Sequence, residues 1–486
     1  MATIDEIRKN RIKKMKDLRA IGINPYPIET KRTHSCQEVL TSFSKLSKIK
    51  KEIILVGRIR GIRVHGKATF LDLEDGGGAL QLFLSEKMVG KKGYQFYLAY
   101  FDIGDFVEAK GTLFITKRKE KTMAVTTLKM LSKSLRPLPE KWHGLKDEEE
   151  RLRKRYLDIL FNPKTREIIT KRALFWDAIR FFLKKRGFLE VETPALEIIA
   201  GGADAKPFET YHQAMGINLY LRISMGELWQ KKLMIAGLEK TFEIGRQFRN
   251  EGLSIEHLQD YTQMEFYWAY ADHQQGMKLI EELYRYVAKE TFGTLKFKIR
   301  GFNIDLAKKW ERYDYRSLIS QQTGIDISGA GLVEIKKTLN KLGIKYDKKG
   351  FNRNRAIDNL WKYCRKKIAG PGFLINVPIE LSPLAKRNKN HPETAAKFQV
   401  ILAGSELGNG YSELNDPIDQ AERFKEQQVL RDKGDEEAQM FDYDFVEALE
   451  YGMPPTCGFG LSERLFSFLM NLSARECQIF PLMKPK

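Results

Sequence analysis

The sequence predicts an α+β protein in which a small closed β-barrel precedes a larger antiparallel sheet flanked by helices. Three observations lead to this fold class. Residues 52–131 alternate apolar and polar side chains with a period of two, with Gly-rich turns between the runs. Residues 165–186 instead carry apolar side chains at helical spacing. Residues 241–270 return to the period of two on both sides of a polar loop, which is typical of an antiparallel hairpin.

The composition is that of a globular protein with room for two or three cores. The chain has 486 residues, of which 42% are hydrophobic and 11% aromatic. The 83 Lys and Arg against 63 Asp and Glu give a formal net charge of +20. This charge favours a polyanionic partner, although a basic solvated surface would give the same value. Every apolar run is far shorter than the ~20 residues of a membrane span, so we expect no insertion into a membrane.

The cysteines are spread along the chain with no CxxC pair and no clustered histidines: Cys36, Cys364, Cys457 and Cys477. This spacing argues against structural zinc and against a disulfide framework. The N-terminus carries Asp5 and Glu6 and lacks the apolar core of a secretory signal. We therefore expect no targeting segment and a cytoplasmic location.

Residues 1–50 are predicted to form a basic helical extension before the barrel. Ile4 to Ala20 has apolar side chains near one helical face and seven Lys or Arg on the others. Contact with RNA, contact with a membrane or partner helix, and a plain solvated surface all fit this pattern. Gly22 and the prolines at positions 25 and 27 end the helix.

Residues 51–135 are predicted to form the barrel, with four or five strands and one helical stretch around residues 94–101. The pattern fits a closed barrel of the oligonucleotide-binding (OB) type, on which exposed aromatic side chains stack unpaired bases. A linker is predicted at residues 136–160, where two prolines stop any strand and the charged run after Asp147 is helical.

Residues 161–486 are predicted to form the second domain. The apolar stripe of its first helix, residues 165–186, is too wide for burial against a single small core, and a strand is predicted next at residues 188–196. A Lys-rich helical insertion is predicted at about residues 305–369. Residues 378–393 are predicted as a strand followed by a polar turn.

The hairpin at residues 241–270 carries side chains suited to a nucleotide. A guanidinium can clamp a phosphate in a bidentate way, and an aromatic ring can cover a flat base. The polar and aromatic residues concerned are Arg249, Glu251, His257, Tyr261, Glu265 and Tyr267. A second stretch, residues 397–424, brings Glu406, Asn409 and Glu413 to one strand edge. Acidic residues there, beside an arginine, suit Mg²⁺ bridging phosphates.

These residues also carry a family resemblance. FRNEG at residues 248–252 and MEFYWAYAD at residues 264–272 resemble motif 2 of class II aminoacyl-tRNA synthetases, in the form typical of the lysyl-tRNA synthetase family. The resemblance covers residues 24–485. It implies a class II catalytic domain, ATP-dependent activation of L-lysine to lysyl-adenylate, and transfer to the 3′ end of tRNA(Lys). It also implies a homodimer whose interface is the helix and strand of residues 165–196.

The resemblance implies a set of nucleotide-binding residues. Arg249 clamps the α-phosphate, and Arg464, in a segment similar to motif 3, stacks over adenine and touches the γ-phosphate; these two are the predicted catalytic residues. The predicted ATP-binding residues are Arg249, Asn250, Glu251, His257, Tyr261, Glu406, Leu407 and Arg464. For Mg²⁺, Glu406 matches the family's ligand, whereas Gln399 stands where the family has a second Glu. An amide oxygen can coordinate a metal but brings no charge.

The resemblance likewise implies a lysine pocket formed by Gly202, Glu227, Glu265, Tyr267, Asn409 and Glu413. Burying the ammonium group of a lysine side chain requires a carboxylate, and Glu413 is predicted to supply it. Glu227 is predicted to meet the α-amino group, in a segment RISMGEL that is one residue longer than the family's RIAPEL. Helix capping would also explain Glu227, and a surface position would also explain Glu413.

On the barrel, Arg63, Phe70 and Gln81 match positions where lysyl-type synthetases hold the anticodon. Phe70 also fits a place in the barrel core. Two alternatives to a lysine–tRNA ligase stay open: an aspartyl- or asparaginyl-type synthetase, and a non-catalytic tRNA-binding paralogue. The second is motivated by Gln399, the longer segment before Glu227 and a motif 3 that is one residue shorter than usual. The anticodon preference and the number of metal ions also stay open.

Overall fold

The computed structural model describes residues 3–139, 147–252, 254–346 and 351–485. It divides into two compact units, Met1–Lys146 and Asp147–Lys486. The predicted extension and barrel, residues 1–135, fall in the first unit, and the predicted domain at residues 161–486 falls in the second. The predicted linker spans the division, and its residues 140–146 lie outside the described residues.

The predicted extension packs into the barrel core. The helices described in the first unit are α1 (Ile4–Ala20), α2 (Cys36–Thr41), α3 (Phe43–Ile49) and α4 (Glu86–Tyr100). α1 has the predicted bounds and starts with a capping box between Thr3 and Glu6. Leu18 of α1 and Val39 of α2 are buried in the same apolar cluster as the barrel strands. Arg11 of α1 is also buried and donates to the backbone carbonyls of three residues, Ile103, Ser134 and Arg136.

Within residues 3–139, five strands close into the predicted barrel: β1 (Ile53–His65), β2 (Ala68–Glu74), β3 (Ala79–Ser85), β4 (Phe106–Ile115) and β5 (Lys121–Ser132). Their order around the barrel is β1-β2-β3-β5-β4. Buried and partly buried residues alternate along β1 to β3, which explains the period of two in the sequence. α4 starts earlier than the predicted helical stretch and has a kink at Gly90, whose φ is 74°.

In the described part of the second unit, eight strands form one sheet in the order β14-β15-β16-β17-β18-β11-β10-β6. The strands of this unit are β6 (Leu189–Glu190), β7 (Leu196–Glu197), β8 (Glu209–His212), β9 (Ile217–Leu221), β10 (Lys240–Phe248), β11 (Asp260–Ala269), β12 (Lys296–Ile299), β13 (Phe302–Asp305), β14 (Glu311–Asp314), β15 (Gly372–Ile375), β16 (Lys397–Leu402), β17 (Ser405–Ser412) and β18 (Thr456–Ser462). The pairs from β15 to β10 are antiparallel, and the two outer pairs are parallel. The predicted hairpin is the β10–β11 pair, and the predicted α+β fold class is confirmed.

Helices cover this sheet and form the insertion. They are α5 (Glu148–Arg153), α6 (Arg155–Phe161), α7 (Pro163–Lys184), α8 (Glu227–Ile235), α9 (His273–Phe292), α10 (Tyr315–Thr323), α11 (Leu332–Lys341), α12 (Arg353–Cys364), α13 (Pro417–Asp432), α14 (Tyr443–Glu450) and α15 (Arg464–Met470), with 3-10 turns at Arg365–Lys367 and Ile379–Leu381. Apolar residues of α7 and α9 share one buried cluster with those of β11, β16 and β18. None of the helices among the described residues is long and apolar enough to cross a membrane.

The structure corrects three predicted elements. The strand predicted at residues 188–196 is two short strands in different sheets, because Pro194 lacks an N–H and the backbone N–H of Thr193 donates instead to Glu243. The segment at residues 378–393 forms a 3-10 turn and isolated bridges in place of a strand. The predicted insertion at residues 305–369 is only partly helical, since β14 joins the main sheet before α10 begins; its residues 347–350 lie outside the described ranges.

Candidate active site

A cavity of about 660 Å³ opens over the central strands β11, β17 and β18. Its walls include residues from the hairpin, from β17, from the start of α8 and from α12. Of the residues predicted to bind ATP, lysine or metal, those that line it are Gly202, Glu227, Arg249, Glu251, His257, Tyr261, Glu265, Tyr267, Gln399, Glu406, Leu407, Asn409, Glu413 and Arg464. Asn250 does not line the cavity: it is exposed, and its backbone N–H donates to the carbonyl of Lys206 at 2.8 Å. The predicted contact of Asn250 with ATP therefore has no support from its position.

Strand register explains why these side chains meet. In the antiparallel pairs, Gly458 of β18 lies opposite both Tyr267 of β11 and Tyr411 of β17. A Cβ atom at Gly458 would lie 2.0 Å from Glu413 Oε1 and 2.7 Å from the Tyr267 ring. Glycine at this position therefore leaves the space in which Glu413 and Tyr267 face the cavity.

Arg249 and Tyr261 lie together at one end of the cavity. Arg249 follows β10 directly, and its guanidinium carbon lies 6.0 Å from the centre of the Tyr261 ring. Among the described residues, Arg249 forms a side-chain hydrogen bond only through Nε, which donates to the Ile223 carbonyl at 3.2 Å. Its two terminal nitrogens remain available for a bidentate contact with an anion.

At the same end, Arg464 is already paired with a carboxylate. One terminal nitrogen of Arg464 lies 2.6 Å from Glu256 Oε2, and Arg300 pairs with the other oxygen. The Ser405 hydroxyl donates to Glu256 Oε2 at 3.0 Å. Burial alone would raise the pKa of Glu256, but Arg464 and Arg300 lower it to about 2. Glu256 is therefore an ionised carboxylate of the protein itself that binds both Arg464 and Arg300.

His257 lies next to this pair. Burial, followed by the charge of Arg464, lowers the pKa of His257 to about 4. Its Nδ1 lies 2.8 Å from the Ser254 hydroxyl. At neutral pH the ring is uncharged, so His257 can offer a hydrogen bond to a phosphate but no positive charge.

The predicted Mg²⁺ residues form a sparse donor set. Glu406 Oε1 accepts a hydrogen bond from the Trp361 indole and lies 3.9 Å from Arg365. Burial raises the pKa of Glu406, but Arg365 and the Trp361 hydrogen bond outweigh this and lower it. The described ranges contain no group of three or more His, Cys, Asp or Glu that could hold a metal ion. Glu406 and Gln399 therefore fit a Mg²⁺ ion that takes most of its oxygen ligands from phosphates and water.

Three buried carboxylates mark the other end of the cavity. Glu227, Glu265 and Glu413 are 6%, 5% and 1% exposed. Burial, and then the charge of Glu227, raise the pKa of Glu265 to about 7, and burial raises the pKa of Glu413 well above its usual value. Glu413 is therefore not a surface residue. The structure also places Lys231 between two of these carboxylates, 2.6 Å from Glu413 and 2.8 Å from Glu227.

The longer segment before α8 fits beside this cluster. Gly226 takes the left-handed conformation, with φ 67°, and α8 begins at Glu227. The backbone N–H of Met225, within this segment, donates to Glu265 Oε1 at 2.9 Å. At Gly202, whose φ is 83°, a Cβ atom would lie 2.8 Å from the Glu227 Cβ. The glycine at 202 therefore allows the backbone to run close to Glu227.

In the first unit, the three predicted anticodon residues lie on adjacent strands of the barrel. Arg63 of β1 is opposite Phe70 of β2, and Asp72 of β2 is opposite Gln81 of β3. Phe70 is partly exposed, and its ring centre lies 5.1 Å from that of Phe83. Phe70 is absent from the buried barrel cluster, so the alternative that places it in the core is wrong.

Comparisons with known families and proteins agree with this geometry. A family profile described as “tRNA synthetases class II (D, K and N)” matches residues 147–484, and one described as “OB-fold nucleic acid binding domain” matches residues 53–131. A lysine–tRNA ligase of Thermosipho africanus is 41% identical over 99% of this chain and 97% of its own length. Those of Thermoanaerobacter sp. and Moorella thermoacetica are 44% identical, over 99% and 98% of this chain and 97% of their own lengths.

The chain belongs to the lysine–tRNA ligase family of class II aminoacyl-tRNA synthetases. This finding confirms the predicted family and enzyme class. The class II profile covers three types, whereas each full-length relative named above is a lysine–tRNA ligase. The aspartyl, asparaginyl and non-catalytic alternatives are therefore not favoured.

Within this lysine–tRNA ligase fold, the sequence prediction missed Glu256 and Arg365, which line the cleft, and Lys231 and Arg300, which pair with carboxylates that line it. Lys231 had a usable signal, since it lies four residues after Glu227 on α8. Glu256 had none, because Arg300 and Arg464 come from distant parts of the chain and only tertiary structure brings them together. Arg365 follows α12 in the insertion, for which no role was predicted.

Proposed function

We propose that the chain is a lysine–tRNA ligase that activates L-lysine with ATP to lysyl-adenylate and then transfers the lysyl group to the 3′ end of tRNA(Lys). The observation that carries the proposal is that one cleft is lined both by a cluster of buried carboxylates and by two arginines. The carboxylates are those of Glu227, Glu265 and Glu413, and the arginines are Arg249 and Arg464. A substrate with two ammonium groups and a substrate with a triphosphate can therefore meet in this cleft.

The adenylation step needs no protein nucleophile. A carboxylate oxygen of lysine attacks the α-phosphorus of ATP, and the bond to the pyrophosphate oxygen breaks. Because both reactants are anions at the reacting atoms, positioning and charge neutralisation are the available means of catalysis. In the proposal, Arg249 holds the α-phosphate through its terminal nitrogens and Arg464 neutralises the outer phosphates.

The remaining nucleotide contacts are proposed for other residues that line the cleft. Tyr261 covers the adenine ring beside Arg249, Glu251 accepts from the adenine amino group, and His257 donates one hydrogen bond on the γ-phosphate side. Leu407 lines the same cavity as an apolar contact. Mg²⁺ would be held by Glu406 and Gln399 together with phosphate oxygens, where it would neutralise phosphate charge.

At the other end, Glu413 is proposed to receive the side-chain ammonium of lysine. A desolvated ammonium needs a carboxylate partner, and Glu413 is nearly fully buried beside Tyr267. Glu227 is proposed to meet the α-amino group, with Glu265, Asn409 and the Gly202 backbone completing the pocket. Aspartate would place its side-chain carboxylate against these acids, so the pocket would repel it.

Recognition of tRNA is assigned to the barrel. Phe70, Phe83 and Phe114 form a row of rings whose neighbouring centres are 5.1 and 6.0 Å apart. Such a row can stack unpaired bases, and the formal charge of +20 favours a polyanion. Arg63, now paired with Asp72 at 2.6 Å, and Gln81 flank it and are proposed to contact anticodon bases.

A homodimer and a cytoplasmic location complete the proposal. α7 buries Phe175 and Phe182 but leaves Leu174 and Phe181 about half exposed, and these side chains offer an apolar surface for a second copy of the chain. All four cysteines are free thiols, as expected in a reducing compartment.

Pyrophosphate exchange into ATP, measured with each of the twenty amino acids, tests the proposed function. We expect exchange with lysine and none with aspartate or asparagine. Exchange dependent on aspartate or asparagine would overturn the assignment of the substrate. Absence of exchange with every amino acid, together with retained tRNA binding, would identify a tRNA-binding protein without this activity.

A further inference from the structure

A buried lysine lies at the centre of the proposed amino-acid pocket. Lys231 Nζ is 2.6 Å from Glu413 Oε2 and 2.8 Å from Glu227 Oε1, and the side chain has no exposed surface. α8 supplies Glu227 and Lys231, whereas Glu413 follows β17. One internal ammonium thus joins the two carboxylates that are proposed to receive the two amino groups of the substrate.

Each of these carboxylates gives Lys231 only one of its oxygens. In the described part of the chain, both hydrogen bonds to the Glu227 carboxylate fall on Oε1, from Lys231 and from the Tyr411 hydroxyl. Glu413 contacts Lys231 through Oε2. Its Oε1 points toward Gly458 at the cavity wall, where a Cβ atom on the glycine would lie only 2.0 Å away. Glu227 Oε2 and Glu413 Oε1 are therefore the oxygens left for a ligand.

Lys231 is the cation that contacts both carboxylates, Glu227 and Glu413. Burial lowers the pKa of Lys231, but the charges of Glu227 and Glu413 outweigh it and raise the pKa. Burial raises the pKa of Glu413, and Lys231 opposes that rise. Among the described residues, the other titratable groups that interact with these three include Glu265 and Tyr267 of β11, Lys397 of β16, Tyr411 of β17 and Cys457 of β18. From α14, the apolar Phe445 ring lies 5.7 Å from Lys231 Nζ.

Stability alone does not account for this arrangement. A buried ion pair is a weak source of stability, because the cost of removing both charges from water offsets their attraction. The Tyr411 and Phe445 rings, 5.6 and 5.7 Å from Lys231 Nζ, add a cation–π attraction, which is also modest in size. The distinctive property of Lys231 is that its charge fixes two acids, each by one oxygen.

We propose that Lys231 is a positioning residue for substrate recognition: it holds Glu227 and Glu413 by one oxygen each and presents their other oxygens to the two ammonium groups of lysine. The inference rests on the proposed function and adds to it a residue that determines specificity. Lys231 stays paired with both acids when the substrate binds. It also opposes proton uptake by Glu413, because its charge favours the ionised form of that acid.

Three variants test this role: Lys231→Met, which removes the charge at similar length, Lys231→Arg, which keeps the charge, and the matched control Lys232→Met. Lys232 lies on the same helix and contacts the Trp229 ring at 4.8 Å, away from the acids. For Lys231→Met we expect KM for lysine to rise about tenfold or more, with KM for ATP within about twofold. We expect Lys232→Met to behave as the wild type and Lys231→Arg to fall between the two.

The pH dependence separates a positioning role from a merely structural one. Without the ammonium, the pKa of Glu413 rises, so a higher pH is needed to ionise the acid and the pH midpoint of lysine binding shifts to higher pH. A Lys231→Met protein that binds lysine as the wild type does at every pH would overturn the inference. Equal loss of lysine and ATP binding in a Lys231→Met protein that is folded by circular dichroism would also overturn it, since a positioning role in the lysine pocket predicts a selective loss. Absence of lysine-dependent exchange in the wild type would instead refute the proposed function.

A crystal structure of the wild type with bound lysine tests the same idea without any variant. We expect Lys231 Nζ still to contact Glu413 Oε2 and Glu227 Oε1, with the two substrate nitrogens on the remaining oxygens. If the substrate ammonium displaced Lys231 from Glu413, the inference would be wrong.

Discussion

Arg249 is the residue to which the proposed chemistry gives the most direct role. It follows β10, uses Nε to hold the Ile223 carbonyl, and keeps its terminal nitrogens free among the described residues. A comparison with Arg246 of β10 shows that the position of an arginine decides its role. Arg246, three residues earlier, pairs with Asp260 at 2.6 Å at the edge of the hairpin and does not line the cavity.

We expect Arg249→Ala to reduce lysine-dependent pyrophosphate exchange by on the order of a thousandfold, because it removes the bidentate contact to the phosphate on which charge builds up. Arg246→Ala is the matched control and should retain exchange within a few-fold of the wild type. Undiminished exchange in Arg249→Ala would refute its catalytic role.

Glu265 predicts a pH dependence of lysine binding. Burial, and then the charge of Glu227, raise its pKa to about 7, so Glu265 is protonated and uncharged below that pH and ionised above it. A cationic substrate gains from the ionised form. We therefore expect the affinity for lysine to fall as pH decreases from about 8 to about 6, and to do so less steeply in Glu265→Gln. Calorimetric titration with lysine at several pH values measures this, and an affinity that rises toward low pH would contradict the role of Glu265.

At the scale of elements, the loop between β10 and β11 places a carboxylate where a phosphate is proposed to bind. Glu256 pairs with Arg464 and Arg300 and accepts from the Ser405 hydroxyl. ATP can bind both terminal nitrogens of Arg464 only if the ion pair between Arg464 and Glu256 breaks. The loop is thus expected to change its contacts when the nucleotide binds.

We expect Glu256→Gln to lower KM for ATP by about tenfold, because it removes a negative charge beside the triphosphate and frees Arg464. KM for lysine should stay unchanged, since Glu256 lies at the other end of the cleft. The steady-state constants for both substrates measure the effect. A higher KM for ATP would show instead that Glu256 orients Arg464 for binding.

The elements also show what a sequence can and cannot reveal. The period-two runs predicted the barrel and the β10–β11 hairpin because alternation directly reflects which side chains are buried. The prediction of one strand at residues 188–196 was wrong because Pro194 interrupts the hydrogen-bond ladder of the sheet. The pattern of apolar residues does not show this local effect. The position of Glu256 beside Arg300 could not be predicted, because no local pattern links a loop at residue 256 to a turn at residue 300.

At the scale of the whole molecule, the two units are proposed to divide the work. All residues that line the candidate active site belong to the unit Asp147–Lys486, whereas the aromatic row belongs to the barrel unit. Formation of lysyl-adenylate therefore needs no residue of the barrel. Transfer to tRNA is the step in which a change in the barrel should become visible.

We expect Phe70→Ala to raise KM for tRNA about 5- to 150-fold, which corresponds to the loss of ~1–3 kcal/mol of stacking on one base. Pyrophosphate exchange without tRNA should stay at the wild-type level. Phe106→Ala is a matched control, because Phe106 is also a partly exposed aromatic residue of the barrel but packs against Arg58 at 4.2 Å. An unchanged KM for tRNA in Phe70→Ala would place the anticodon elsewhere.

The buried carboxylate of Glu413 is proposed to select lysine by its side-chain ammonium. Binding of lysine and of norleucine, which has the same carbon chain without the ammonium, measures this directly in the wild type and in Glu413→Gln. We predict that the wild type binds lysine at least about a hundredfold more tightly than norleucine and that Glu413→Gln loses most of this difference. Equal preference for lysine in both proteins would contradict the claim.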